Sequence, residues 1–307
     1  MEEEEHTSAV QRLLASIFFG NYFYGLCAVA LMAETAVQLK IPFDGISVYC
    51  LAFVATVLFY NYPYARHYAS PSHNPRIQWY IRNHRWVIWN QVFFTLVLLG
   101  TTGYFAYRHA SEIVYMGTVK WTLLLVFPVV GATYYGIHIL SKKYSLRQVG
   151  WLKPFVIGFV WAGMATVYPL LWHDVLHVKP YAFTFLGSLL FVKNLMFTAV
   201  LAIMFDIKDY TTDSKNKLNT LVVKMGLQKT IGYVLLPLPI LGLLTFISYA
   251  VLHHFSIPKM VLIMIPFFSL LLAATSLRKP RTLLYYLVVI DGLFLVKAFF
   301  GIVAMLV

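Results

Sequence analysis

Nine runs of about 20 consecutive apolar residues dominate this chain and settle what it can fold into. A segment in hydrocarbon has no water to hydrogen-bond its backbone, so it must satisfy its own amides, as a helix does. The runs lie at approximately 13–36, 44–61, 87–107, 118–139, 152–172, 181–205, 231–252, 259–276 and 283–306. An all-α integral membrane bundle of nine transmembrane helices is therefore expected. Composition agrees: 60% of the 307 residues are hydrophobic and 12% charged, with a mean hydropathy of +0.72, which excludes an ordinary soluble domain. No linker long enough to divide the chain is visible, so residues 1–307 read as a single transmembrane domain. The opening Met1-Glu2-Glu3-Glu4-Glu5-His6 is acidic where a secretory signal would be basic, and no signal peptide is expected. Cys27 and Cys50 fall within predicted spans, make no metal pattern and read as small packing residues.

The basic residues are unevenly shared between the loops. Loops after the second, fourth, sixth and eighth spans hold Arg66, Arg76, Arg82, Arg85, Lys142, Lys143, Arg147, Lys153, Lys208, Lys215, Lys217, Lys224, Lys229, Arg278, Lys279 and Arg281, 16 of the 24. The loops on the other side hold Lys40, Arg108, Lys120, Lys179 and Lys259. The positive-inside rule then places the N-terminus and the even-numbered loops in the cytoplasm, as in a bacterial inner membrane or its equivalent, with Val307 on the far side. The formal net charge of +12 comes from these basic loops, with attraction to anionic lipid head groups as its ordinary consequence, and it implies no nucleic-acid partner.

The sixth span runs into Asp206-Ile207-Lys208-Asp209-Tyr210-Thr211-Thr212-Asp213. Carboxylates beside hydrocarbon are costly and point to function by default. On a helix, Asp206, Asp209 and Asp213 are spaced i, i+3, i+7 and share one face. Hard oxygen ligands of this kind suit Mg²⁺, which takes one or two carboxylates plus substrate phosphates. On the residues alone, a solvated charged loop capping the span accounts for the cluster equally well.

Read on through Thr220-Leu221, Lys224 and Gly226, the stretch resembles the second aspartate-rich motif of the UbiA family of intramembrane prenyltransferases. That motif is D-x-x-D-x-x-x-D followed by a Thr-Leu pair and a Lys-x-Gly ending. The helix count and the cytoplasmic side of the loops are also similar. Lys142-Lys143-Tyr144-Ser145-Leu146-Arg147 looks like the family's diphosphate-binding Tyr-Ser/Thr element, with Arg147 where lysine is commoner; alone it would be a juxtamembrane basic cluster. The first aspartate-rich motif departs from the family. Asn61 and Arg76 keep their spacing, but Tyr62, Ala65 and Ala69 stand where the family carries aspartates. The resemblance implies a nine-helix UbiA-like bundle moving an isoprenyl group from an isoprenyl diphosphate to a lipophilic, aromatic or other, acceptor within the membrane. It also implies that Asp206 and Asp209 hold a single Mg²⁺ with Asp213 in support. Asn61 would orient the diphosphate, and Arg76, Tyr144, Arg147 and Lys208 would contact it. Arg66, Arg76, Arg82, Arg85 and Arg147 would supply positive charge that the lost carboxylates no longer recruit as metal.

Other residues carry two readings each. Lys193, Asp291 and Lys297 lie inside spans. At 1.5 Å per residue, Lys193 and Asp291 sit roughly 18 and 12 Å deep, so a buried Lys193–Asp291 pair is expected, with a proton or ion pathway as the alternative. His67 and His73 read as interfacial histidines, or as ligands for zinc or iron. Tyr60, Tyr62, Tyr64 and Tyr68 read as an aromatic belt or as a wall facing a carbocation. Three functions follow: a divergent, Mg²⁺-dependent prenyltransferase; a catalytically inactive protein of the same fold binding an isoprenoid or quinone; or a transporter using the intramembrane charges.

Overall fold

The computed structural model describes residues 9–43, 45–65, 74–134, 150–177, 184–215 and 218–307. Every regular element among the described residues is helical. In chain order the helices are α1 (Ala9–Phe19), α2 (Tyr22–Gln38), α3 (Ser47–Ala65), α4 (Pro75–Arg82), α5 (His84–Arg108), α6 (Ala110–Val114), α7 (Thr118–Tyr134), α8 (Gly150–Leu176), α9 (Phe185–Lys215), α10 (Leu221–Met225), α11 (Leu227–Leu252), α12 (Ile257–Ser276) and α13 (Leu283–Val303). Seven of them, α3, α5, α8, α9, α11, α12 and α13, are long and apolar enough to cross a membrane. Helices α1 and α2 add an eighth if the pair, bent by 59°, is one span. Helix α7 is apolar, with 17 described residues. The chain is thus an all-α, multi-pass membrane protein.

It divides into two compact units, Met1–Val29 with Gly45–Ala110, and Ala30–Asp44 with Ser111–Val307. Each is assembled from two separated stretches, so no linker marks the boundary in the sequence.

In the first unit the apolar run at 13–36 is broken at Gly20-Asn21. Asn21 adopts φ 61°, a left-handed conformation that asparagine tolerates better than most residues. Its side chain is buried and donates to Asn61 Oδ1 at 2.7 Å and to the Tyr80 hydroxyl at 3.0 Å. The bend is therefore fixed by a polar network and not by flexibility. Asn74 caps α4 by accepting from the Arg76 amide at 2.9 Å, and Pro75 follows at the first helical position. Along α5, Trp89, Phe93, Leu96, Leu99 and Tyr104 are exposed on a helix that buries almost nothing; in a membrane this surface meets lipid.

In the second unit α8 packs along α9, and the buried face of α9 carries Asn194, Phe197, Val200, Leu201, Met204 and Asp206. The helices approach closely because Gly158 has no side chain: a Cβ there would lie 2.7 Å from Leu195 O and 3.3 Å from Ala199 Cβ. Small residues at such crossings are the usual way helices pack in lipid. Within α8 a turn of π-helix at Gly163–Val167 presents Thr166, whose hydroxyl accepts from Asn194 Nδ2 at 2.9 Å. Trp161 and Phe294 stack at 4.7 Å between centroids, tying α8 to α13.

Candidate functional site

The site in the second unit is built on the last turns of α9. Asp206 has no exposed surface. Its Oδ1 accepts a hydrogen bond from Lys153 Nζ at 2.5 Å, while Oδ2 is buried without a hydrogen-bond partner among the described residues. The negative charges of Asp209 and Asp213 act on it across the shared helical face. Asp209 is half-buried, and its Oδ1 lies 3.1 Å from Lys208 Nζ. One end of the helix therefore collects three carboxylates and two ammonium groups, graded from buried to solvent-facing.

Lys153 is held in place by the motif's own tail. It heads the α-helical part of α8, after a 3₁₀ turn at Gly150–Leu152. Gly150 rests on the backbone of Asn219 and Thr220, where a Cβ would meet Asn219 C at 2.6 Å and Thr220 N at 2.7 Å. Thr220 in turn caps α10, its hydroxyl accepting from the Val223 amide at 3.3 Å. Gly226 ends that helix at φ 80°, where a side chain would be strained. Thr220 and Gly226 thus have a local structural purpose: they shape the turn against which the Lys153 segment packs.

The expected residues distribute as follows. Asp206, Lys208, Asp209 and Asp213 share one end of α9. Among the described residues, no three Asp, Glu, His or Cys side chains converge closely enough to hold a metal ion by themselves. Tyr144 and Arg147 lie outside the described residues, as do Arg66, His67, Tyr68, His73, Lys142 and Lys143. Asn61 and Arg76 belong to the first unit, where both are engaged internally. Asn61 Oδ1 accepts from Asn21 and lies 2.5 Å from the Tyr80 hydroxyl, and its Nδ2 donates to Gly20 O at 3.0 Å. Arg76 donates to Asn21 Oδ1 and sits 4.7 Å above the Tyr64 ring. Burial pushes the Tyr80 phenol well above its usual range, so it stays protonated. Tyr60 stacks on Tyr24 and Tyr64 on Tyr80, each at 4.5 Å, so these two rings are packed in the first unit; Tyr62 is exposed.

Of the intramembrane charges, Lys193 Nζ lies 3.0 Å from Glu34 Oε1 and 3.1 Å from Gln38 Oε1. Asp291 is buried on α13, at the end of a π-helical turn, Tyr286–Ile290.

Two charged side chains of these buried clusters escaped sequence reasoning, and both left a signal. Lys153 places a positive charge at a helix N-terminus, against the helix dipole, which calls for a carboxylate nearby. Glu34 is an acid inside the apolar run 13–36. No family model, no curated protein and no solved structure matches the chain.

Proposed function

We propose that this chain is a divergent UbiA-like prenyltransferase, transferring an isoprenyl group from an isoprenyl diphosphate to a lipophilic acceptor, aromatic or other, within the membrane. The observation that carries the reading is Asp206, a fully buried carboxylate at the end of an apolar span, with one oxygen on Lys153 and the other without a hydrogen-bond partner among the described residues. An acid desolvated to that degree is costly and is kept where it serves a function. In this reading nine spans set the N-terminus and the mouth of the site on the cytoplasmic side, where most of the basic residues fall.

In this reading Asp206 Oδ2 and Asp209 would hold a Mg²⁺, with Asp213 adding charge and substrate phosphates filling the remaining positions. Bound there, the ion would neutralise charge gathering on the leaving diphosphate. Lys153 is 27% exposed and has donors beyond the one given to Asp206; it and Lys208 hold phosphate oxygens by charge-assisted hydrogen bonds. Tyr144 and Arg147 join them in this reading. A second reading, a non-catalytic binder of an isoprenoid or quinone, is favoured by one observation: no three-residue metal group forms among the described residues.

The deciding experiment is diphosphate release by the purified protein in nanodiscs given geranyl, farnesyl and geranylgeranyl diphosphates, with Mg²⁺ and with EDTA. Release that needs metal and falls by at least about 100-fold in Asp206→Asn, the scale of losing one electrostatic contact to a transition state, supports the enzyme. Tight binding of the diphosphates without release supports the binder. Neither release nor binding overturns both.

A further inference from the structure

The Asp206 carboxylate already carries a cation that belongs to the protein. The acid has no exposed surface, while Lys153, whose Nζ lies 2.5 Å from Oδ1, keeps 27% of its side chain accessible. The lysine is therefore the outer member of the pair. Its main chain is pinned, because Gly150 rests on the backbone of Asn219 and Thr220 and Pro154 follows at the start of the α-helical turn. Its four-carbon side chain turns about single bonds and is the part that can move. Behind it, Asp206 Oδ2 is buried with no hydrogen-bond partner among the described residues. Lys153 also lies in the field of Asp209, so the ammonium serves the same carboxylates that a metal would need.

A divalent cation that reaches this end of α9 meets an occupied seat. If Lys153 stays, two cations share one buried carboxylate, and their repulsion is strong where water is scarce. If Lys153 moves out into water, a buried and hydrogen-bonded ion pair is forfeited, a loss that metal binding has to make good. Among the described residues no three metal-ligating side chains converge, so the carboxylates alone make a weak seat. A diphosphate changes both terms. Its oxygens accept charge-assisted hydrogen bonds from the displaced ammonium, and they supply metal ligands that the protein does not.

We propose that Lys153 is a latch on this site: its ammonium keeps the Asp206 carboxylate closed to divalent cations until a diphosphate takes the ammonium over, so that metal enters only with diphosphate. The inference rests on the diphosphate reading above and adds to it the order of binding. While the latch is closed, the fraction of protein competent to hold a metal is small, and the apparent metal affinity falls by that fraction.

The test is thermal unfolding of the full-length protein in detergent at constant ionic strength and pH, titrating Mg²⁺ with and without inorganic pyrophosphate. Wild type should give no saturable response to Mg²⁺ alone and a clear one when pyrophosphate is present. Lys153→Met removes the latch and should bind Mg²⁺ without pyrophosphate at least about 10-fold more tightly than wild type, a coupling of ordinary size. That gain should vanish in Lys153→Met/Asp206→Asn. The latch is overturned if wild type takes Mg²⁺ alone as tightly as with pyrophosphate, or if Lys153→Met gains no affinity. Equal stabilisation of wild type by pyrophosphate with and without Mg²⁺ overturns it as well. These three outcomes leave diphosphate binding itself standing. A wild type that responds neither to pyrophosphate nor to pyrophosphate with Mg²⁺ overturns the diphosphate reading and the latch with it. The wild-type titrations decide the matter even if Lys153→Met fails to fold.

Discussion

At Lys153 and Asp206 the asymmetry between making and breaking a buried ion pair can be measured directly. Removing the lysine leaves Asp206 buried with no cation at 2.5 Å, and loss of one partner of a buried pair is strongly destabilising. Lys153→Met should lower the unfolding free energy by about 3 kcal/mol, the lower end of the buried range because Lys153 is partly solvated. Asp206→Leu strands only an ammonium with access to the surface and should cost less. The double variant Lys153→Met/Asp206→Leu should regain most of the loss, because an apolar pair of similar volume is often neutral in such a place. Denaturant unfolding of the four proteins in one detergent gives the coupling energy, and additive losses would show that the two side chains do not depend on each other. The acid was legible in the sequence because it interrupts an apolar run; its partner was not, because it arrives from 53 residues away. Glu34 was equally visible as an acid in a span, yet only the packing of three helices shows that it serves two lysines.

Helices are the level at which the sequence is most readable, since each apolar run has to hydrogen-bond to itself and ends where Pro, Thr or Gly changes the backbone. The bend at Gly20-Asn21 is the exception. Hydropathy passes through it unchanged, and it depends on a positive φ and on partners 40 and 59 residues away. Glycines likewise look alike in sequence and differ in the fold. Gly158 and Gly163 sit at close contacts, whereas Gly100 and Gly103 on α5 face open space. Gly158→Leu forces a side chain against the backbone oxygen of Leu195, 2.7 Å from the Cβ position, and should cost roughly 1–3 kcal/mol or more as overpacking. Gly100→Ala and Gly103→Ala should be neutral or stabilising by up to about 1 kcal/mol, since alanine is the better helix former. Melting temperatures of the three variants separate the two cases, and similar losses at all three would mean that helix α5 is packed as tightly as α8.

The whole molecule is organised by two facts that the sequence holds in different ways. Its division into two units is hidden, because the boundary falls inside α2 between Val29 and Ala30 and no composition shift accompanies it. The orientation we propose for it, by contrast, comes from the charges, with 16 of 24 basic residues in the loops expected to alternate. If that bias governs insertion as positive-inside bias does, then the Asp206 end of α9 faces the cytoplasm. In a protein with Cys27 and Cys50 replaced by alanine, single cysteines at Lys215, which ends α9, and at Lys279, beyond α12, should be shielded from a membrane-impermeant maleimide in intact cells. Cysteines at Tyr115, which precedes α7, and at Ser256, which precedes α12, should react. Ser256 and Lys279 bracket one helix of 20 residues, so equal labelling at the two would remove α12 from the spans. A full reversal would keep the spans and turn the molecule over, placing the Asp206 carboxylate on the side opposite to any diphosphate made in the cytoplasm. The reading of that carboxylate as a cytoplasmic diphosphate site therefore stands or falls with four labelling reactions that involve no substrate.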